Sequence, residues 1–336
     1  MFETTFEGKF CSVIDCDHAV DSNIKQSGEA RMLAMLRYVF SRNTKEPRAS
    51  SASYYSGPEV PLPEIRSFLQ HRGAGSVDLV CDDSTSIATL CFNQPDKRNA
   101  ISGKMMVELA RAVETLEGWA EGRGVLVHGR GGHFCAGGDL HVMRDMSGPD
   151  DGFKMAAFMQ DALSRLQALP LVSVALVEGS GALGGGAEIA IACDYRLLTR
   201  EAAGIGFVHG RMGIAPAWGG GLRLAEVVGS RRALDLLLSA RVVGWPEALD
   251  QGLADGVVDG ADAITEAREW LAARTSLDAR VVRAAKSIVR GAAAGGSREQ
   301  RLEEERRVFA PLWGGPANKA ALARYFERAS APKTKD

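Results

Sequence analysis

The stretch Val177–Asp194, V-E-G-S-G-A-L-G-G-G-A-E-I-A-I-A-C-D, leaves few options open to the chain that contains it. It closes an apolar run, Leu171–Val177, with the composition of a buried strand. It leads into Glu188–Ala192, small and apolar enough to open a buried helix. Between them stand Gly179, Gly181, Gly184, Gly185 and Gly186. Glycine tolerates φ > 0 and lets other groups approach the backbone closely, at a cost in folding entropy. So dense a cluster implies main-chain N–H groups that face something. The helix start adds unpaired N–H donors and partial positive charge, a setting that suits an oxyanion.

Two readings compete for this turn. Residues 179–184 fit G-x-G-x-x-G after a strand, the pattern of a dinucleotide site. The acidic residue that such a site needs falls badly: Asp194 precedes the next apolar run, Tyr195–Leu198, and Glu188 comes too early. A phosphate-binding P-loop is excluded because no Gly-Lys-Ser/Thr follows. The oxyanion reading gains from a second glycine turn, Phe134-Cys135-Ala136-Gly137-Gly138-Asp139-Leu140, which follows another strand-like run, Gly124–Gly129.

Together, Phe-Cys-Ala-Gly-Gly-Asp-Leu at 134–140 and Ala-Leu-Gly-Gly-Gly-Ala-Glu at 182–188 resemble the crotonase (enoyl-CoA hydratase/isomerase) superfamily, from about Ser76 to the C-terminus. Within it, Phe158-Met159-Gln160, Phe207-Val208-His209, Trp218-Gly219-Gly220 and Trp313-Gly314-Gly315-Pro316 are similar to the ethylmalonyl-CoA decarboxylase branch. The resemblance implies an α/β crotonase (ClpP-like) fold, a spiral of ββα repeats with a C-terminal helical oligomerisation region. It implies an acyl-CoA thioester as substrate, no cofactor beyond the CoA of that substrate, and a homotrimer or dimer of trimers. Two backbone N–H groups bind the thioester oxygen in this family, and by motif position they fall on Gly138 and Gly185.

Bulk properties narrow the partners. With 336 residues the chain can hold one large domain plus an extension. A net charge of −2 makes no electrostatic case for nucleic acid, and no apolar run is long enough to span a bilayer. The six cysteines, Cys11, Cys16, Cys81, Cys91, Cys135 and Cys193, show no C-x-x-C pairing and read as scattered thiols in a reducing compartment. His128, His133 and His141 have no metal-site spacing.

We expect an N-terminal extension over 1–63, a spiral core over 64–260 and a helical region over 261–336. Residues 31–57 are Arg- and Ser-rich and acid-poor, as a mitochondrial import segment is, and would be N-terminal if translation began at Met32 or Met35. As it stands the segment is internal and reads as a basic linker; the branch resembled is cytosolic. Strands are expected at Val77–Cys81, Ser86–Phe92, Val125–His128, Leu171–Val177, Tyr195–Leu198 and Val257–Val258. Helices are expected at Glu64–His71, Gly103–Trp119, Phe153–Ala168 and in six stretches after Ser230.

The chemistry expected is decarboxylation beside a thioester, which leaves an enolate oxygen for the Gly138 and Gly185 donors. Glu188, among Ile189, Ala190, Ile191 and Ala192, is a desolvated carboxylate suited to moving a proton. His209 stands where hydratases of the family carry a second glutamate, seven residues before Pro216. Paired carboxylates serve water addition; a carboxylate with an imidazole suits protonation of carbon after CO2 leaves. The residues do not decide which of the two gives the proton. By resemblance, the Cys135–Gly137 backbone lines the adenine pocket, Trp218 walls the acyl pocket, and the substrate-binding set is Ala100, Cys135, Ala136, Gly137, Asp139, Leu140, Gly184 and Trp218. Asp139 is also placed to cap a helix. Lys97, Arg98 and Arg144 are candidates for the CoA phosphates. The expected activity is removal of CO2 from ethylmalonyl-CoA, secondarily methylmalonyl-CoA, as metabolite repair. The alternatives are an enoyl-CoA hydratase or isomerase, a non-catalytic CoA- or RNA-binding protein and, most remotely, a nicotinamide oxidoreductase.

Overall fold

Two antiparallel strands, β1 (Ser76–Asp82) and β2 (Ile87–Asn93), begin a six-stranded sheet. It continues in parallel through β3 (Gly124–Gly129), β4 (Val172–Val177), β6 (Tyr195–Thr199) and β9 (Gly256–Val258). The structure is a computed structural model and describes residues 55–259, 262–293 and 295–330. The chain divides into two units, Met1–Ser56 and Gly57–Asp336, and the second carries the sheet and the site. Nearly all of the 31–57 segment, with Cys11 and Cys16, lies outside the described residues.

Central strands buried on both faces read as unbroken apolar runs, and their alternation appears once the two faces are separated. Val125 and Val127 of β3, with Ala175 and Val177 of β4, enter the larger core cluster. Leu126, Val174 and Leu176 point the other way, under the helix Ala263–Arg274 with its Ala267 and Leu271. The helix Gly103–Gly118 is capped by Ser102, which accepts from Met105 N–H at 3.2 Å, and buries Met105, Met106, Leu109, Val113 and Leu116. The helix Pro149–Ala168 starts four residues before the expected Phe153. Pro149 presets its first turn, and Asp150 and Asp151 face its positive end. The helix Leu62–Leu69 straddles the expected boundary at 63 and sends Ile65 and Leu69 into the core.

Three strands of two residues each, β5 (Ala182–Leu183), β7 (Ile205–Gly206) and β8 (Val242–Val243), form a second sheet in the order β5-β7-β8. They are too short to leave a sequence period. From β4 to β7 the chain alternates between the large sheet and this small one: β4, β5 and the helix Gly185–Ala192 are one such unit, and β6 and β7 begin the next. This is the ββα spiral. Both glycine turns leave the C-terminal ends of β3 and β4 and meet: the β4 turn passes through β5, and Leu183 N–H donates to Cys135 C=O at 3.0 Å.

One carboxylate is a main tie between the C-terminal helices and this body, beside Arg283, which donates to the Trp119 and Gly122 carbonyls, both at 2.8 Å. Asp194 Oδ2 accepts from Ser173 N–H at 2.8 Å, Ser173 Oγ at 3.0 Å and Lys286 Nζ at 2.6 Å, while Oδ1 accepts from Arg290 at 3.3 Å. Lys286 and Arg290 belong to the helix Ala279–Ala293. The residue that would have been misplaced as a ribose ligand is a structural clamp.

Candidate active site

The 134–140 turn is held by its ends. Ala136 N–H donates to Arg98 C=O at 3.0 Å, Ile101 N–H to Gly137 C=O at 2.7 Å, and Asp139 N–H to Ile101 C=O at 2.9 Å. Gly138 N–H is left over. In the second turn Gly184, at φ 52, swings the chain into a helix that begins at Gly185, three residues before the expected Glu188. Gly185 N–H is the first orphan donor of that helix. Neither the Gly138 nor the Gly185 amide has a hydrogen-bond partner among the described residues, and both glycines line one cavity of about 440 Å³. The sequence reading attributed both glycines to ligand approach, and packing revises this. A Cβ at Gly185 would lie 2.4 Å from the Trp218 ring, whereas one at Gly138 would meet only Met143 at 3.4 Å. Gly185→Ala should therefore displace Trp218 and the adjoining donor, lowering kcat/KM by about 10²-fold; steady-state kinetics on a CoA thioester measures it, and an unchanged value would dissociate Gly185 from the chemistry.

Glu188 ends the first turn of its helix and is 1% exposed. The loop after Pro216 wraps it. Oε2 accepts from Trp218 N–H and Gly220 N–H, both at 2.8 Å, and Oε1 from Ala217 N–H at 3.4 Å. Gly219 turns the chain at φ 87, and Gly220 must lack a Cβ, which would sit 2.4 Å from Glu188 Cγ. The short helical turn Val208–Met212 brings His209 from the other side, its Nε2 3.0 Å from Glu188 Oε1. Residues 21 positions apart thus form one buried pair.

The cavity gathers Ala136, Gly137, Gly138, Leu140, Arg144, Gly184, Gly185, Glu188, His209 and Trp218 from the residues expected at the site. Five others are placed elsewhere. Ala100 is buried and gives its carbonyl to Gln94 Nε2 at 2.9 Å. Cys135 lies under the turn, its thiol pushed up to about 12 by burial. Asp139 caps the helix Leu140–Asp145 through His141 N–H at 3.0 Å. Against the cost of burial, Lys97 and that N–H hold its carboxyl below the usual range. Lys97 donates to Asp139 at 2.6 Å, so its ammonium is committed. Arg98, at φ 49, serves the turn through its backbone carbonyl. Arg144 stays at the rim, 73% exposed, against Asp145. His133 Nδ1 accepts from Ser180 N–H at 3.0 Å, and no cluster of metal-ligating side chains occurs among the described residues.

What the sequence reading missed is the wall: Met143, Met155, Val208, Met212 and Ile214 line the cavity as well. Met143 stands three residues after Leu140 on the same helix face, a spacing that could have found it. The three backbone donors around Glu188 left one trace, the glycines that follow Trp218.

Residues 82–335 match the model of the enoyl-CoA hydratase/isomerase family. An ethylmalonyl-CoA decarboxylase of Xenopus laevis is 44% identical over 267 residues, covering 78% of this chain and 87% of its own length. One of Gallus gallus is 41% identical over 310 residues, covering 90% and 97%. A crystal structure of an enoyl-CoA hydratase from Bacillus anthracis is similar at TM-score 0.68 and 25% identity, over 76% of this chain and 97% of that one.

Proposed function

The chain belongs to the enoyl-CoA hydratase/isomerase family, and from that premise we propose that it removes CO2 from ethylmalonyl-CoA, with methylmalonyl-CoA as a secondary substrate. The observation that carries the choice of reaction is the Glu188–His209 pair. Among the described residues that line the cavity, Glu188 is the one carboxylate, so the paired acids that suit water addition are not assembled there.

The thioester oxygen takes the free N–H groups of Gly138 and Gly185, which are fixed before substrate arrives. Breaking the bond between the α-carbon and the carboxylate sends its electron pair into the thioester as an enolate. Donors aimed at that oxygen lower the barrier more than they stabilise the neutral carbonyl. The cavity offers a substrate carboxylate mainly apolar walls, Met143, Met155 and Ile214 among them, and the one arginine or lysine on its lining, Arg144, sits at the rim. A carboxylate poorly solvated by such walls gains by leaving as neutral CO2. Methionine side chains adapt to the ethyl or methyl branch. A proton from the Glu188–His209 pair completes butyryl-CoA. The path is served by this chain's donors alone, with CoA entering as part of the substrate.

We assign the enzyme to the cytosol, in metabolite repair, on the strength of the branch it resembles; no described helix is long and apolar enough to cross a membrane. We assign it to a trimer or pair of trimers, supported by the exposed Phe309, Trp313, Leu322 and Tyr325 of the C-terminal region. Incubation with ethylmalonyl-, methylmalonyl- and crotonyl-CoA, followed by mass spectrometry, tests the reading. Loss of CO2 from the branched malonyl thioesters without hydration of crotonyl-CoA is expected. Hydration alone would overturn it.

A further inference from the structure

Two arginines are buried among the described residues, and they are satisfied differently. Arg196, 4% exposed, meets Asp255 directly at 2.8 Å. Arg223, 5% exposed, stands on the helix Gly220–Val228. It donates from Nη1 to Trp218 C=O at 2.8 Å, from Nε to Gln167 Oε1 at 2.9 Å and from Nη2 to Ser164 Oγ at 3.1 Å. All three acceptors are neutral. A buried guanidinium is costly without a countercharge, and the segment it holds leads to one. Trp218 gives its C=O to Arg223 and its N–H to Glu188, both at 2.8 Å. The next two glycines divide in the same way. A Cβ at Gly219 would lie 2.5 Å from Arg223 Nη1, and one at Gly220 would lie 2.4 Å from Glu188 Cγ. Segment 217–220 thus runs between a buried cation and a buried carboxyl group, with a carbonyl toward the first and three N–H groups toward the second.

We propose that Arg223 is a positioning residue for the Glu188–His209 pair: across the Trp218 backbone it is the counter-cation of Glu188, and it fixes the loop whose N–H groups hold that carboxylate against His209. This deepens the decarboxylase reading and rests on it. Arg223 is not among the residues that line the cavity, so it acts through the loop and through its charge. A fixed cation makes the pair release its proton more readily, which protonation of the enolate carbon requires. Burial pulls the guanidinium below the usual arginine range, and Glu188 is the first of the charges that oppose this. The other groups around Arg223 are weaker or already paired. Glu226, on the same helix, is exposed. Arg290, from the helix Ala279–Ala293, faces Asp194 at 3.3 Å. Asp161 and Arg165, on the helix Pro149–Ala168, lie 3.6 Å apart. The Cys193 thiol is pushed up to about 12 by burial and stays neutral. On the His209 side, Arg211 of the same turn and Arg231, Arg232 and Asp235 of the helix Ser230–Ser239 are exposed.

The test joins a double-mutant cycle, read without substrate, to a pH profile. R223M leaves Glu188 without its cation, and E188Q leaves Arg223 without its anion. Each should lower the urea midpoint. The variant carrying both changes should lose clearly less than the two losses added, because the second change removes the charge that the first one stranded. Additive losses overturn the proposal. A shared loop also couples neighbours, so the pH profile separates charge from packing. In the decarboxylation of ethylmalonyl-CoA, kcat/KM depends on the proton of the pair and falls as alkali removes it. R223M has neither charge nor donors; R223Q keeps an amide donor without the charge, and reports if R223M does not fold. Both should be slower by about 10–10²-fold, and in both the alkaline fall should move to higher pH by about one unit, since the lost cation no longer expels the proton. A loss that is the same at every pH, with the fall unmoved, reduces Arg223 to packing and overturns the proposal. The cycle needs no turnover. A wild type that hydrates crotonyl-CoA and leaves ethylmalonyl-CoA intact refutes the decarboxylase reading, while the cycle still decides whether Arg223 is the counter-cation of Glu188.

Discussion

Gly138→Pro is expected to lower kcat by about 10²–10³-fold, the loss seen when one preorganised oxyanion donor is removed, with the fold intact. Proline removes one thing here, the N–H. The bonds that hold this turn run from Ile101 N–H to Gly137 C=O and from Asp139 N–H to Ile101 C=O, and neither uses the Gly138 amide. The preceding Gly137, at φ 105, is a glycine already and has no Cβ to clash with the proline ring. The Cβ that the substitution adds would lie 3.4 Å from Met143, a flexible side chain, and Gly138→Ala adds the same atom while keeping the donor. Alanine should therefore stay near wild type and proline should not. Because the donor acts on charge that develops in the transition state, the loss should fall on kcat more than on KM. Equal loss in both variants would mean that crowding, not the N–H, is responsible. Undiminished turnover in the proline variant would remove Gly138 from the oxyanion site.

How far the sequence carries toward this site depends on what kind of group does the work. Side chains with a chemical identity were legible: Glu188 could be named from its apolar neighbours, His209 from the family position that the resemblance gave it before Pro216, and the structure sets them 3.0 Å apart. The central strands were legible too, because β3 and β4 are apolar throughout and end at glycine turns. Backbone groups were only half legible. The five glycines of 179–186 announced bare amides, yet the small apolar run Glu188–Ala192 placed the helix start at Glu188, when the helix begins at Gly185, at glycines of low helix propensity. A Cβ at Gly186 would strike Cys135 C=O at 2.2 Å, so tertiary contact, not propensity, decides that turn. The committed ammonium of Lys97 was not legible at all: nothing local shows that it reaches across 42 residues to Asp139. Charge at a motif position indicates a phosphate ligand only when the charge is free.

Asp194→Ala is expected to cost about 3–5 kcal/mol, the range for stripping one partner from a buried ion pair, and to be the most destabilising single change in the C-terminal half. Lys286 is 7% exposed. Burial pulls its ammonium below the usual lysine range, and Asp194 is the charge that opposes this. With Asp194 gone, Lys286 keeps only Leu171 C=O, at 2.5 Å, and the Ser173 N–H and hydroxyl lose their acceptor as well. Asp194→Asn should cost less, because the amide oxygen still accepts from Ser173 while the countercharge is lost. Lys286→Met should cost less than Asp194→Ala for a different reason: it removes the buried cation itself, and Arg290 still faces Asp194 at 3.3 Å. Urea denaturation of the three variants gives the order directly. If Asp194→Ala proves no worse than Lys286→Met, the buried ammonium is not what the carboxylate stabilises. The helix Ala279–Ala293 would then be held by its apolar face and by Arg283, which donates to the Trp119, Ala120 and Gly122 carbonyls.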